Sequence, residues 1–204
     1  MLCAVNEYRC RHANIVFASD RAALLVLDMQ EYFLRTELHA YIPSAAAIIP
    51  GVRLLIKAFA ASRRPVIFTQ HVDTSENAGM MALWWKDLIH LEAPESKISA
   101  ELDVSKGAVI QKGHYDAFYE TSLENVLQAG DVTQVVITGL MTHLCCETTA
   151  RSAFMRGYEV FLAIDGTATY TEAFHRAALL NLAHGFVMPM LVEEILSAFE
   201  EMKN

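Results

Sequence analysis

The chain has 204 residues, 53% of them apolar, with a mean hydropathy of +0.25 and a formal net charge of −8. That length suits one domain with an ample core, and sixteen scattered basic residues, of which only Arg63 and Arg64 are adjacent, exclude a nucleic-acid partner. No apolar run approaches the ~18 residues that span a bilayer, and without an apolar h-region near its start the chain reads as cytoplasmic, its four cysteines reduced.

Residues 1–20 read as a surface extension ahead of a domain over 21–204. Cys3, Cys10 and His12 lack a fourth ligand at suitable spacing, so no zinc site is assigned there. Residues 22–28 form an apolar run closed by Asp28, as in a strand buried on both faces. Residues 29–34 and a helix-like stretch over 45–62 follow, and the main helix is placed from Pro50, since proline is permitted in a first turn. A second strand over 65–69 precedes a long connection, 70–103, holding Trp84 and Trp85. Such a length is more often a lid or a partner surface than a spacer. Residues 107–111 make a third strand leading to Lys112, and Thr121 can cap a short helix over 122–128.

The next stretch is a βαβ unit. Val135, Val136 and Ile137 form its first strand, Gly139 breaks the run, and Thr142 can cap a helix over 144–156 that Gly157 stops. A strand over 160–164 then ends at Asp165. Thr171 caps a helix to about residue 184, residues 186–188 form a short strand, and Pro189 opens the last helix. The alternation predicts a Rossmann-like α/β fold: three layers, with a central, mostly parallel six-stranded sheet.

Cys145 falls in the first turn of the helix in that βαβ unit. The positive end of the helix dipole favours thiolate there, which points to a nucleophile. A buried cysteine that merely packs is the commoner case, and Cys146 beside it is one such candidate. The local wording separates the two. Gly139-Leu140-Met141-Thr142-His143-Leu144-Cys145, followed by Glu147-Thr148-Thr149-Ala150-Arg151, resembles the nucleophile motif of the isochorismatase-like cysteine hydrolases, a superfamily that includes nicotinamidases and N-carbamoyl amidohydrolases. The resemblance covers about residues 22–198 and places Cys145 at the reactive position.

It also assigns a catalytic Asp-Lys-Cys triad to Asp28, Lys112 and Cys145, in the contexts Leu27-Asp28-Met29-Gln30 and Lys112-Gly113-His114-Tyr115. Each lies at the carboxyl end of a strand or just beyond, where open parallel sheets bind ligands. The resemblance implies that Asp28 takes the thiol proton and returns it to the leaving nitrogen, while Lys112 favours the anionic forms of its neighbours. It further implies an oxyanion hole from the backbone amides of Met141 and Cys145, and a cis peptide at Leu140–Met141. The region after the second strand departs from the nicotinamidase metal pattern: His71 and Asp73 stand in reversed order with no histidine again until His90, so neither metal nor other cofactor is expected. Gln30, Phe33, Trp84, Trp85, Tyr115 and His143 are the candidate substrate contacts.

The expected function is hydrolysis of a C–N bond in a small amide or N-carbamoyl compound through a thioester. Vinyl-ether hydrolysis of the isochorismatase type is the alternative within enzymes, and a non-catalytic or redox-sensing member of the superfamily the alternative outside them. A homo-oligomer without membrane attachment is implied, with Trp84 and Trp85 as either pocket wall or subunit contact.

Overall fold

A computed structural model of the chain describes residues 2–74, 76 and 78–201. Helix α1 (Leu2–Arg11) leads to strand β1 (Ala22–Leu27), the short α2 (Glu31–Leu34), α3 (Ala45–Ala61) and β2 (Val66–His71). After α4 (Gly79–Trp85) come β3 (Ala108–Lys112), α5 (Leu123–Ala129) and β4 (Gln134–Leu140). One π-type turn, Thr142–Cys146, runs into α6 (Glu147–Met155), followed by β5 (Glu159–Ala168), α7 (Glu172–Gly185), β6 (Met188–Met190) and α8 (Val192–Glu201).

The strands lie in the order β3-β2-β1-β4-β5-β6, and every ladder between them is parallel. Alternation along β1 shows the three layers. Leu24 and Val26 join α3 and α8 on one face, whereas Ala23, Leu25 and Leu27 join α1, α5, α6 and α7 on the other. The chain fills one half of the sheet outward from β1, then returns to lay β4 against β1 on the other side. Strand order therefore reverses between β1 and β4, and a crevice opens at their carboxyl ends. The first helix is docked, not loose: Val5 is buried, and Arg9 pairs with Glu194 at 2.6 Å.

Four elements differ from expectation, each for a local reason. Helix α3 starts at Ala45 and contains Pro50, because a buried row of Ile48, Val52, Leu55 and Phe59 outweighs one lost backbone bond. Pro189 sits inside β6, an edge strand, where a missing N–H is tolerated. Strand β4 runs straight through Gly139, whose φ of +103° and close approach to Leu27 admit no side chain, since a Cβ would stand 2.1 Å from the Leu27 carbonyl oxygen. Strand β5 passes Asp165 and Gly166 and re-pairs Thr167 with Gly139, so what reads as a turn is an irregularity within the strand.

Candidate active site

The crevice between β1 and β4 gathers three side chains from separate elements. Asp28 follows β1 in the left-handed region, φ 50°, a conformation Asp tolerates better than most residues. Lys112 ends β3, two strands away, opposite His71 in the register of β2. Its stem passes His71, and its ammonium reaches Asp28 Oδ2 at 2.7 Å and Cys145 Sγ at 3.5 Å. The Lys112 Nζ also donates to the His114 carbonyl at 2.9 Å and lies 3.5 Å from His71 Nδ1. Asp28 Oδ1 accepts from the Thr69 hydroxyl at 2.6 Å, and the carboxylate also accepts from the Cys145 thiol. All three residues are buried, Cys145 at 5% exposure.

Burial is the largest single influence on the Asp28 carboxyl and would raise it, but the Lys112 ammonium, His71 and the hydrogen bonds beside them together outweigh it and hold the group below its ordinary value. Burial is again the largest single influence and would lower Lys112, but the Asp28 charge, Cys145 and the hydrogen bonds to both together outweigh it, so the ammonium persists well into alkali. For Cys145, burial and then the Asp28 charge push the thiol far up, and Lys112 offsets only part of this. The resting site is therefore carboxylate, ammonium and neutral thiol. This corrects the expectation of a resting thiolate. The helix dipole acts through partial charges, whereas Asp28 carries a full charge in hydrogen-bond contact. Iodoacetamide at pH 7 is accordingly expected to label the exposed Cys3 and Cys10 ahead of Cys145, whose labelling rate climbs only above 9.0, the ordinary thiol value. Peptide mapping after timed alkylation checks this, and a Cys145 titration near neutrality would contradict it.

The peptide Leu140–Met141 is cis. Thr142, expected as a helix cap, instead pairs its hydroxyl with His175 Nδ1 at 2.9 Å, because the π-type turn presents no first-turn amide to it. The turn carrying Cys145 is thereby tied to α7. Cys146 is fully buried against the sheet.

A profile of the isochorismatase domain matches residues 22–194. The chain belongs to the isochorismatase family. Nicotinamidase 3 of Arabidopsis thaliana is 38% identical over 185 residues, covering 88% of this chain and 87% of that protein. Enterobactin synthase component B of Escherichia coli is 28% identical over 185 residues, covering 89% of this chain and 65% of that protein. The crystal structure of a cysteine hydrolase from Pseudomonas syringae pv. phaseolicola superposes with a TM-score of 0.86 at 26% identity, over 91% of this chain and 95% of that one.

Beside Cys145 this isochorismatase-family chain opens a half-enclosed cavity of about 490 Å³, its mouth included. Of the six expected substrate contacts, Phe33, Trp85 and Tyr115 line it, and the Trp85 indole N–H donates to the Tyr115 hydroxyl at 2.6 Å. The other three lie elsewhere. Trp84 is 73% exposed, since successive helix residues face apart. Gln30 is buried with its amide spent on His71 and Ser96, at 2.7–2.9 Å, which pins the connection after β2 to the chain leaving β1. His143 stacks on Phe174 and bonds Thr169, bracing the turn that carries Cys145.

Sequence reasoning missed Tyr32, His39, Asp87 and Tyr170, which also line the cavity. Tyr170 was within reach: it lies two residues past the carboxyl end of β5, but only for a reader who carries that strand through Asp165. Residues His71 and Asp73 do not fit a metal. His71 Nε2 faces Asp73 Oδ1 at 3.2 Å, its Nδ1 faces the Lys112 ammonium, and Asp73 Oδ2 accepts from the Ile89 amide. Among the described residues no three His, Cys, Asp or Glu side chains cluster as ligands would.

Proposed function

We propose that this chain is a cysteine hydrolase that cleaves the C–N bond of a small amide through a thioester on Cys145. The observation that carries this reading is the neutral thiol held between an ionised carboxylate and an ammonium at the wall of a cavity. The 38% identical relative named as a nicotinamidase supports the choice of an amide.

In this reading proton transfer from Cys145 to Asp28 is uphill at rest, because the carboxyl is held down and the thiol pushed up. It becomes favourable as the sulfur lone pair enters the new S–C bond, so attack and proton transfer occur together. The oxyanion falls to the amides of Met141 and Cys145, each such donor being worth about 3–4 kcal/mol. The proton on Asp28 then passes to the nitrogen, the C–N bond breaks, and amine or ammonia leaves. Water attacks the thioester while Asp28 accepts its proton, and the carboxylic acid departs as the thiol is restored. Lys112 stays protonated throughout and orients the carboxylate.

Vinyl-ether hydrolysis fits less well. It needs a carboxylic acid to protonate the substrate carbon, and Lys112 at 2.7 Å keeps Asp28 ionised. Turnover on a panel of small amides, with mass spectrometry of the quenched protein, tests the proposal: an acyl adduct on Cys145 is expected. Turnover is also expected to survive exhaustive dialysis against EDTA. Loss of activity restored by Zn²⁺ would overturn the metal-independent mechanism.

A further inference from the structure

The cavity beside Cys145 has a charge pattern that the hydrolytic steps do not use. Two carboxylates line it, Asp73 and Asp87, while no lysine or arginine does among the described residues. Asp73 is occupied, with one oxygen facing His71 and the other accepting from the Ile89 amide. Asp87 belongs to a second polar cluster that shares no hydrogen bond with Asp28, Lys112 or Cys145. Its Oδ2 accepts from the Tyr32 hydroxyl at 2.7 Å and pairs with His39 Nδ1 at 2.9 Å, so both of these bonds fall on one oxygen and Oδ1 takes part in neither. Lys86 places it there: at φ 60° it ends α4 in the left-handed region and turns the chain immediately before Asp87. Five aromatic side chains, Tyr32, Phe33, Trp85, Tyr115 and Tyr170, share the remaining walls with aliphatic ones such as Met81 and Ile89.

Aromatic faces attract cations through their quadrupole, and a carboxylate among them adds a full charge. The same surroundings disfavour a carboxylate-bearing substrate, since no lysine or arginine lines the cavity to receive it. A flat neutral ring would be accommodated, but nothing about a neutral ring calls for Asp87. We propose that this cavity selects amides whose group beyond the carbonyl is a planar cation, with Asp87 as the residue that sets the preference. For the reaction, this rests on the amide-hydrolase reading; for binding, it does not.

The test measures binding by calorimetry on the Cys145→Ala chain, using three probes that share one frame and differ in charge: benzamide, an N-methylpyridinium carboxamide and a carbamoylbenzoate. The cation is expected to bind about tenfold or more tighter than benzamide, and the anion weakest. Asp87→Asn, added to the same chain, is expected to bring the cation to within about twofold of benzamide while leaving benzamide unchanged. Asp87 is half exposed, and asparagine keeps its shape, so loss of fold is not the expected cause. Equal affinities for the three probes, no measurable binding of any, or an Asp87→Asn loss shared by all three overturns the proposal. Hydrolysis of the same probes by the unaltered chain is scored separately. Cation preference without turnover would sink the amide-hydrolase reading and leave the selectivity standing, whereas turnover without cation preference would do the reverse.

Discussion

Cys145→Ala is expected to lower kcat on a small amide by about ten-thousand-fold or more, with KM little changed. The size follows from the route. Removing Sγ removes the thioester, and the residual rate is then water attack in a cavity that still holds the oxyanion donors. KM is spared because Phe33, Trp85 and Tyr115, which line the cavity, are untouched. The same variant decides between bond types. A vinyl-ether hydrolase needs only the carboxyl group, so it would keep near-normal turnover without the thiol. Steady-state kinetics on the natural substrate reads the difference, and a Cys145→Ala chain that turns over at the normal rate would falsify the thioester route. In that case Asp28 would have to act as an acid despite the ammonium 2.7 Å away.

The meeting of Asp28, Lys112 and Cys145 was legible because it depends on strand ends, and strand ends depend on apolar runs that the sequence displays openly. Asp28 closes one such run and Lys112 another, and a helix starts soon after the third. What was not legible depends on long-range packing. Nothing local to Pro50 says that Ile48, Val52, Leu55 and Phe59 will bury together and carry a helix through it. Thr142 has the right type for a cap, yet its hydroxyl is claimed by His175, thirty-three positions away. Gln30 stands two residues from Asp28 and reads as a site residue, but its amide serves the backbone at His71, the end of β2, and at Ser96 in the connection that follows. The state of Cys145 was misjudged for a similar reason. Its helix position is local and favours thiolate, while the burial and the Asp28 charge that decide the matter arrive only with the fold. Tyr32 lies in α2, His39 in the loop after it and Asp87 just past α4, and no spacing in the chain announces that they meet.

Asp28→Asn and Lys112→Met are each expected to reduce turnover about as far as Cys145→Ala, yet to move Cys145 in opposite directions. With Asp28 neutralised, the charge that raises the thiol is gone and the ammonium at 3.5 Å remains. Alkylation of Cys145 at neutral pH should therefore speed up in Asp28→Asn even as hydrolysis stops, because the base that must hand a proton to the leaving nitrogen is lost. With Lys112 removed, the carboxyl is buried without its cation and rises, its proton-accepting form is depleted, and alkylation stays slow. Stability should follow the same logic. Lys112→Met strands a buried carboxylate at a cost of about 3–5 kcal/mol, much of which the double variant with Asp28→Asn recovers, since removing a whole buried pair is far less costly than removing half of it. In turnover the double variant should be no worse than either single one, because the residues act as one unit and the first loss already forfeits the route. Denaturant unfolding, timed alkylation and steady-state kinetics on the four chains of the cycle give three independent readings. Additive losses in kcat, or an Asp28→Asn chain whose Cys145 labels no faster than the unaltered one, would mean that Asp28 does not hold the thiol proton in place.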